Sequence, residues 1–170
     1  EDGDMALISR PTDFLGVNYY NPDYVSADPE APQPEGERTA MGWLVEPKGL
    51  ADLLERLHRD YAPGPLFVTE NGSAWDDEAP IDGRLRDPKR IAYFQGHLGA
   101  CLDAIDAGVP LKGYFAWSLL DNFEWAEGYS KRFGIVHVDY ATQRRTPKDS
   151  GRWFAQVAET NSIVDRDVVD

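Results

Sequence analysis

Apolar residues along the chain fall into short runs that alternate with helical stripes. Thr12–Val17 (T-D-F-L-G-V), Pro65–Thr69 (P-L-F-V-T) and Leu111–Trp117 (L-K-G-Y-F-A-W) are brief and nearly continuous. Each is closed by polar or turn-forming residues. Such runs predict parallel strands covered on both faces. Between them, Leu50, Leu53, Leu54, Leu57 and Tyr61 recur at helical spacing, predicting one amphipathic helix. Ile91, Phe94, Leu98, Cys101, Leu102 and Ile105 predict another. Asp87 and Pro88 suit its N-cap and first turn, and Gly108 its C-terminal end. A third helix is predicted from near Thr146-Pro147, carrying Trp153, Phe154 and Val157. Gly134–Tyr140 alternates and predicts a small hairpin outside the main sheet, and Asp28–Arg38 reads as a long loop. Alternating strands and helices predict a parallel α/β fold, and three units are too few to close an eight-stranded barrel.

A chain of 170 residues holds one domain with a core. The formal net charge of −13 disfavours phosphate backbones and anionic membranes, so no nucleic-acid or membrane partner is expected. Cys101 is the only cysteine and can form neither an internal disulfide nor a metal cluster. No zinc spacing, phosphate loop, dinucleotide turn or serine-hydrolase elbow occurs, so neither metal nor cofactor is expected. No apolar stretch is long enough to span a bilayer. No signal peptide is visible, and a cytoplasmic location is the expectation. The chain opens Glu1-Asp2-Gly3 without Met, so the true start is expected upstream.

Chemistry-bearing residues gather just after the predicted strands. Asn18 and Tyr20 follow the first; Glu70, Asn71 and Gly72 the second; Trp117, Asp121, Asn122, Glu124 and Trp125 the third. Parallel α/β folds collect functional groups at these carboxyl ends. Thr69-Glu70-Asn71-Gly72 could be a hairpin turn, yet no second strand follows. A Glu closing a buried strand needs a partner or a task. Two Trp and two acids within Trp117–Trp125 suit carbohydrate, since indole faces cover sugar C–H faces and carboxylates accept hydroxyl hydrogen bonds. Trp43 is a further platform or a hydrophobic contact at a helix entry, and Trp153 reads as core. His58, His97 and His137 are dispersed and read as structural or solvated.

Together D-F-L-G-V-N-Y-Y (Asp13–Tyr20), M-G-W (Met41–Trp43), F-V-T-E-N-G (Phe67–Gly72), G-Y-F-A-W-S-L-L-D-N-F-E-W (Gly113–Trp125), G-Y-S-K-R-F-G (Gly128–Gly134) and V-D-Y (Val138–Tyr140) resemble family 1 glycoside hydrolases, the β-glucosidases and their relatives. The resemblance implies the C-terminal three βα units of a (β/α)₈ TIM barrel, with residues 1–170 a single partial domain. It also implies retaining hydrolysis of a β-glucoside or oligosaccharide. In that likeness Glu70 is the nucleophile that forms a covalent glycosyl-enzyme, Tyr20 orients it, and Asn18 lines the pocket. Trp117 floors the sugar subsite, Glu124 and Trp125 read outer hydroxyls beside Phe133, and Trp43 supports the leaving group. The family's acid/base Glu, in a T-x-N-E-P context, has no counterpart here. Retaining enzymes need two carboxyl groups roughly 5–5.5 Å apart, so a missing N-terminal barrel half is the implied partner. A non-catalytic remnant that binds sugar or a partner half is the alternative. A 6-phospho-β-glycosidase is weaker, because Glu124 repels phosphate and only Lys131 suits it. A thioglucosidase stays open at this point.

Overall fold

The computed structural model describes residues 1–165. A short helix α1 (Asp4–Ile8) precedes strand β1 (Leu15–Asn18), helix α2 (Pro47–Tyr61), strand β2 (Leu66–Asn71), helix α3 (Pro88–Asp106) and strand β3 (Leu111–Ala116). A single 3₁₀ turn, Trp125–Glu127, follows, then strands β4 (Val136–Val138) and β5 (Arg145–Pro147) and helix α4 (Asp149–Thr160). The main sheet is parallel in the order β1-β2-β3, and β4 and β5 form a separate antiparallel pair. The fold class is thus α/β, and the hairpin expected beyond the main sheet is present. The last helix begins at Asp149 rather than near Thr146, because Arg145–Pro147 is extended and pairs with β4. Helix α1 has no buried residue, so no apolar stripe marked it in the sequence.

The strands are covered on one face, not two. Val17, Leu66 and Val68 point into a core with Leu50, Leu54, Ala100, Cys101 and Ala104 from α2 and α3. Leu50 and Leu54 have no exposed surface, and burying each contributes roughly 1.5–3 kcal/mol. A second core joins Ile91, Tyr93 and Phe94 of α3 to Ile135 and Trp153. The opposite sheet face stays open. Phe14 is 52 % exposed and Phe115 is 58 % exposed, and Phe14 packs edge-on with the Phe67 ring, centroids 5.1 Å apart. An open apolar sheet face is what one arc of a barrel presents when the remaining strands are absent.

Helix α3 departs from its predicted stripe. Leu102 and Ile105 are exposed, whereas Arg90, Tyr93, His97, Ala100 and Ala104 are buried. Small residues let the helix approach the sheet, and two polar residues find partners there. Asp87 stands at the N-cap position, but its side chain caps no helical N–H. Its carboxylate instead binds Arg90 and accepts from the Ser150 amide (2.8 Å) and hydroxyl (2.5 Å). The C-terminal end follows local expectation. Gly108 is left-handed (φ 94°), its N–H bonds to the Ile105 carbonyl, and the Val109 N–H bonds to that of Ala104. This is a Schellman cap.

Candidate active site

The ends of β1, β2 and β3 are laced together. The Tyr19 N–H donates to the Glu70 carbonyl at 3.0 Å, and the Trp117 N–H to the Asn71 carbonyl at 2.8 Å. Gly72 makes this approach feasible, since a Cβ there would sit 1.7 Å from the Trp117 oxygen. Asn71-Gly72 therefore ends a parallel strand and forms no hairpin. The strand also runs through Glu70 and Asn71, so the Glu70 side chain emerges at its carboxyl end.

There the Tyr20 hydroxyl donates to Glu70 Oε2 at 2.7 Å, across 50 residues of chain. Burial first, and then the bonded Glu70 carboxylate, hold the Tyr20 phenol far above its ordinary pKa, so it stays a donor. The Tyr20 ring lies against Trp43 (5.3 Å between centroids) and edge-on to Phe133 (6.2 Å). A cavity of about 560 Å³ opens above, lined among others by Tyr20, Trp43, Glu70, Trp117, Glu124 and Trp125. Glu124 is aimed by Asn122, whose side-chain amide donates to Glu124 Oε2 at 2.8 Å, while the Ser118 hydroxyl donates to Asn122 Oδ1 at 3.0 Å. The Trp117–Ser118 peptide is cis. Trp125 is 84 % exposed, a free indole at the cavity rim.

Six of the eight residues to which the resemblance gives a role thus share one cavity. Two do not. Phe133 is fully buried, and it packs behind Tyr20 and Trp43 rather than lining the cavity. Asn18 lies outside the lining, and its Oδ1 accepts from the Thr69 hydroxyl at 2.7 Å. Lys131, the one feature that suited a phosphate, donates from its ammonium to the Ala40 carbonyl at 2.7 Å.

Asp121, one of the two acids in the tryptophan-rich segment, is structural. It is buried and receives Lys148 (2.8 Å), Arg132 (2.5 Å) and the N–H groups of Gly134 (3.1 Å) and Val138 (3.2 Å). Burial pushes its carboxyl up, but Lys148, Arg132 and the Val138 amide outweigh burial and hold it below the usual carboxylate range. Lys148 also reaches Asp77 (2.5 Å), and Arg90 joins Asp77 (2.8 Å) and Asp87. Arg90 further donates to the Ser73 carbonyl at 3.3 Å and the Arg132 carbonyl at 2.8 Å. Three cations and three carboxylates thereby clamp the loops after β2 and β3 together. No periodicity pointed to this cluster, since Asp77, Asp121 and Lys148 are remote in sequence.

Sequence reasoning also missed the layer behind Glu70. Asn71 has no exposed surface and donates to the Tyr19 carbonyl (2.7 Å) and the Tyr93 hydroxyl (3.0 Å). Its Oδ1 accepts from Tyr114, and Tyr93 donates to the Tyr20 carbonyl at 3.2 Å. A polar Asn inside an apolar strand was the one visible hint.

Comparison with known proteins agrees with this architecture. Residues 1–163 match the profile of glycosyl hydrolase family 1. The chain is similar to β-glucosidase A of Thermotoga maritima, 50 % identical over 168 residues, which cover 95 % of the chain and 38 % of that protein. It is 43 % identical over 184 residues to a bifunctional β-D-glucosidase/β-D-fucosidase of Bifidobacterium breve, covering 95 % of the chain and 40 % of that protein. Among solved structures, the family 1 β-glucosidase of Thermotoga maritima in complex with isofagomine lactam superimposes with a TM-score of 0.88 at 51 % identity, covering 93 % of the chain and 37 % of that structure. The chain therefore spans about 38 % of the length of such relatives. Its open three-stranded sheet is one arc of their TIM barrel, and the chain belongs to glycosyl hydrolase family 1.

Proposed function

We propose that this chain supplies the nucleophile half of a retaining β-glucosidase. One observation carries the reading: the Tyr20 phenol donates to the Glu70 carboxylate at the floor of a cavity walled by three indoles and Glu124. A nucleophilic carboxylate must be ionised, and a donor that cannot itself ionise favours that form. Glu70 would attack the anomeric carbon, forming a glycosyl ester as the bond to the leaving oxygen breaks. A second carboxylic acid protonates that oxygen and then activates the water that releases the sugar. Glu124 is assigned to the sugar hydroxyls, with its carboxylate already oriented by Asn122. The acid/base is then supplied by the remainder of the barrel. The indoles of Trp117 and Trp125 would stack on or donate to the sugar, and Trp43 would face the leaving group. Asn18, bonded to Thr69, stands outside the cavity lining and would approach the sugar from β1 only in the completed barrel, and Phe133 acts through the rings of Tyr20 and Trp43.

The test uses the full-length polypeptide. Glu70→Gln should lower turnover by several orders of magnitude with sugar binding largely retained. A 2-deoxy-2-fluoro glucoside with a good leaving group should label Glu70. Label on Glu124 instead would overturn the assignment. The 170 residues alone should not hydrolyse even a dinitrophenyl glucoside above the Glu70→Gln control, because the open sheet cannot enclose the sugar. Hydrolysis of an ordinary alkyl glucoside by the isolated chain would place an unrecognised acid within it and favour self-sufficiency.

A further inference from the structure

The Tyr20–Glu70 contact needs the Tyr20 backbone held at a set height above β2. Two facts about the buried layer show how. The Tyr19 carbonyl can only accept, so the atom of Asn71 facing it at 2.7 Å must be the amide nitrogen. That fixes the orientation of the whole amide. Oδ1 must then face Tyr114, which donates to it, and the second amide hydrogen points to the Tyr93 oxygen at 3.0 Å. Having accepted there, Tyr93 has its own proton free for the Tyr20 carbonyl, at 3.2 Å. The result is a one-way chain: Tyr114 to Asn71, Asn71 to Tyr19 and Tyr93, and Tyr93 to Tyr20. It joins β3, β2, α3 and the segment after β1.

The surroundings stiffen this chain. Asn71 is wholly buried and Tyr93 is 1 % exposed, so water cannot replace a lost partner cheaply. Burial holds the Tyr93 hydroxyl protonated, well above its ordinary value. Tyr93 is itself braced by stacking on His97 at 3.9 Å and edge-on against Phe94 at 6.0 Å. Neither Asn71 nor Tyr93 lines the cavity.

We infer that Asn71 and Tyr93 are positioning residues that set the backbone of Tyr20, and through it the donor on the Glu70 carboxylate. The inference rests on the nucleophile assignment to Glu70. It gives the Asn of the T-E-N-G segment a task of its own. Its amide measures the distance between the strand that bears the nucleophile and the segment that bears the nucleophile's donor.

The test is a double-mutant cycle in the full-length enzyme. Tyr93→Phe keeps the ring and its stacking and deletes only the hydroxyl. It should lower kcat about tenfold and leave KM within about twofold, since Tyr93 itself lines none of the pocket and of the lining side chains only Tyr20 is shifted. Tyr114→Phe is the control: it removes the hydroxyl on the accepting side of Asn71 and leaves the two donations intact. It should lower the unfolding temperature while changing kcat less than Tyr93→Phe does. In a Tyr20→Phe background the Tyr93→Phe substitution should cost almost nothing further, because there is no donor left to position. An equal tenfold loss in that background, or a rise in KM matching the fall in kcat, would overturn the inference. If Tyr93→Phe does not fold, 3-fluorotyrosine at position 93 keeps the hydroxyl and nearly the same shape, makes it a stronger donor to Tyr20 and a weaker acceptor from Asn71, and completes the same cycle. The nucleophile reading fails separately: Glu70→Gln would then keep its turnover. An inactive Glu70→Gln with an additive cycle would sink only the positioning role.

Discussion

Consider replacing His97 with Gln. His97 is wholly buried on α3, and its Nδ1 lies 2.8 Å from the Tyr93 carbonyl. A carbonyl only accepts, so Nδ1 carries the ring proton and Nε2 is a bare lone pair. Among the described residues Nε2 has no hydrogen-bond partner. Protonation would therefore create a buried cation whose new N–H has nowhere to donate. Burial accordingly lowers the His97 pKa to about 4, against 6.5 for an ordinary histidine, with the Tyr93 carbonyl opposing only in part. The sign follows from linkage. Above pH 6.5 both folded and unfolded chains hold this ring neutral, and it costs nothing. Below that, the unfolded chain takes up a proton that the folded one refuses, so stability falls as pH drops and stops falling below about pH 4. The expected loss is about 2 kcal/mol by pH 5 and roughly 3 kcal/mol by pH 4. The assay is urea unfolding of the full-length polypeptide at pH 7, 6, 5 and 4, for wild type and His97→Gln. Other acids titrate alike in both proteins, so the difference between the two curves isolates His97. The variant should be less stable at pH 7, through lost stacking on Tyr93, and should lose less between pH 6.5 and 4. Parallel curves, or a His97 ring that titrates near 6 by NMR, would refute the reasoning.

Three further outcomes are expected. Lys148→Met leaves three carboxylates facing two cations in a buried cluster and should destabilise by about 3–5 kcal/mol; an unchanged urea midpoint would show that the cluster is solvated. Gly72→Ala drives a methyl into the Trp117 carbonyl and should part β2 from β3 at the site, cutting both 2-fluoro-glucoside labelling of Glu70 and stability; full labelling at wild-type rate would contradict the close approach. The isolated 170 residues expose Phe14, Phe115, Leu119 and Phe123, so they should bind a hydrophobic dye and unfold over a broad range; a sharp, reversible transition of a monomer would count against an open sheet.

Much of this protein is legible before any coordinates. Period-2 and period-3.6 patterns are local, so β1–β3, α2, α3 and most of α4 could be read within a few residues, as could the glycine cap at Gly108. The motifs after the strands located Glu70, Tyr20, Trp117 and Glu124 because parallel strands deliver their carboxyl ends to one side. Tertiary structure decided what those local signals cannot carry. Asp87 has the sequence of an N-cap, yet Arg90 and Ser150 hold its carboxylate, because a charged donor in a buried site outcompetes a helical N–H. Asp121 resembles a sugar reader by its neighbours, yet Lys148 and Arg132 neutralise it inside the fold. Runs suited to two covered faces are covered on one, since these three units form only one arc of the barrel that the relatives close. The pairing of Tyr20 with Glu70, and of Asn71 with Tyr93, joins residues 50 and 22 apart. No window of sequence contains such a pair; only packing strand beside strand, with α3 across them, brings each donor to its acceptor.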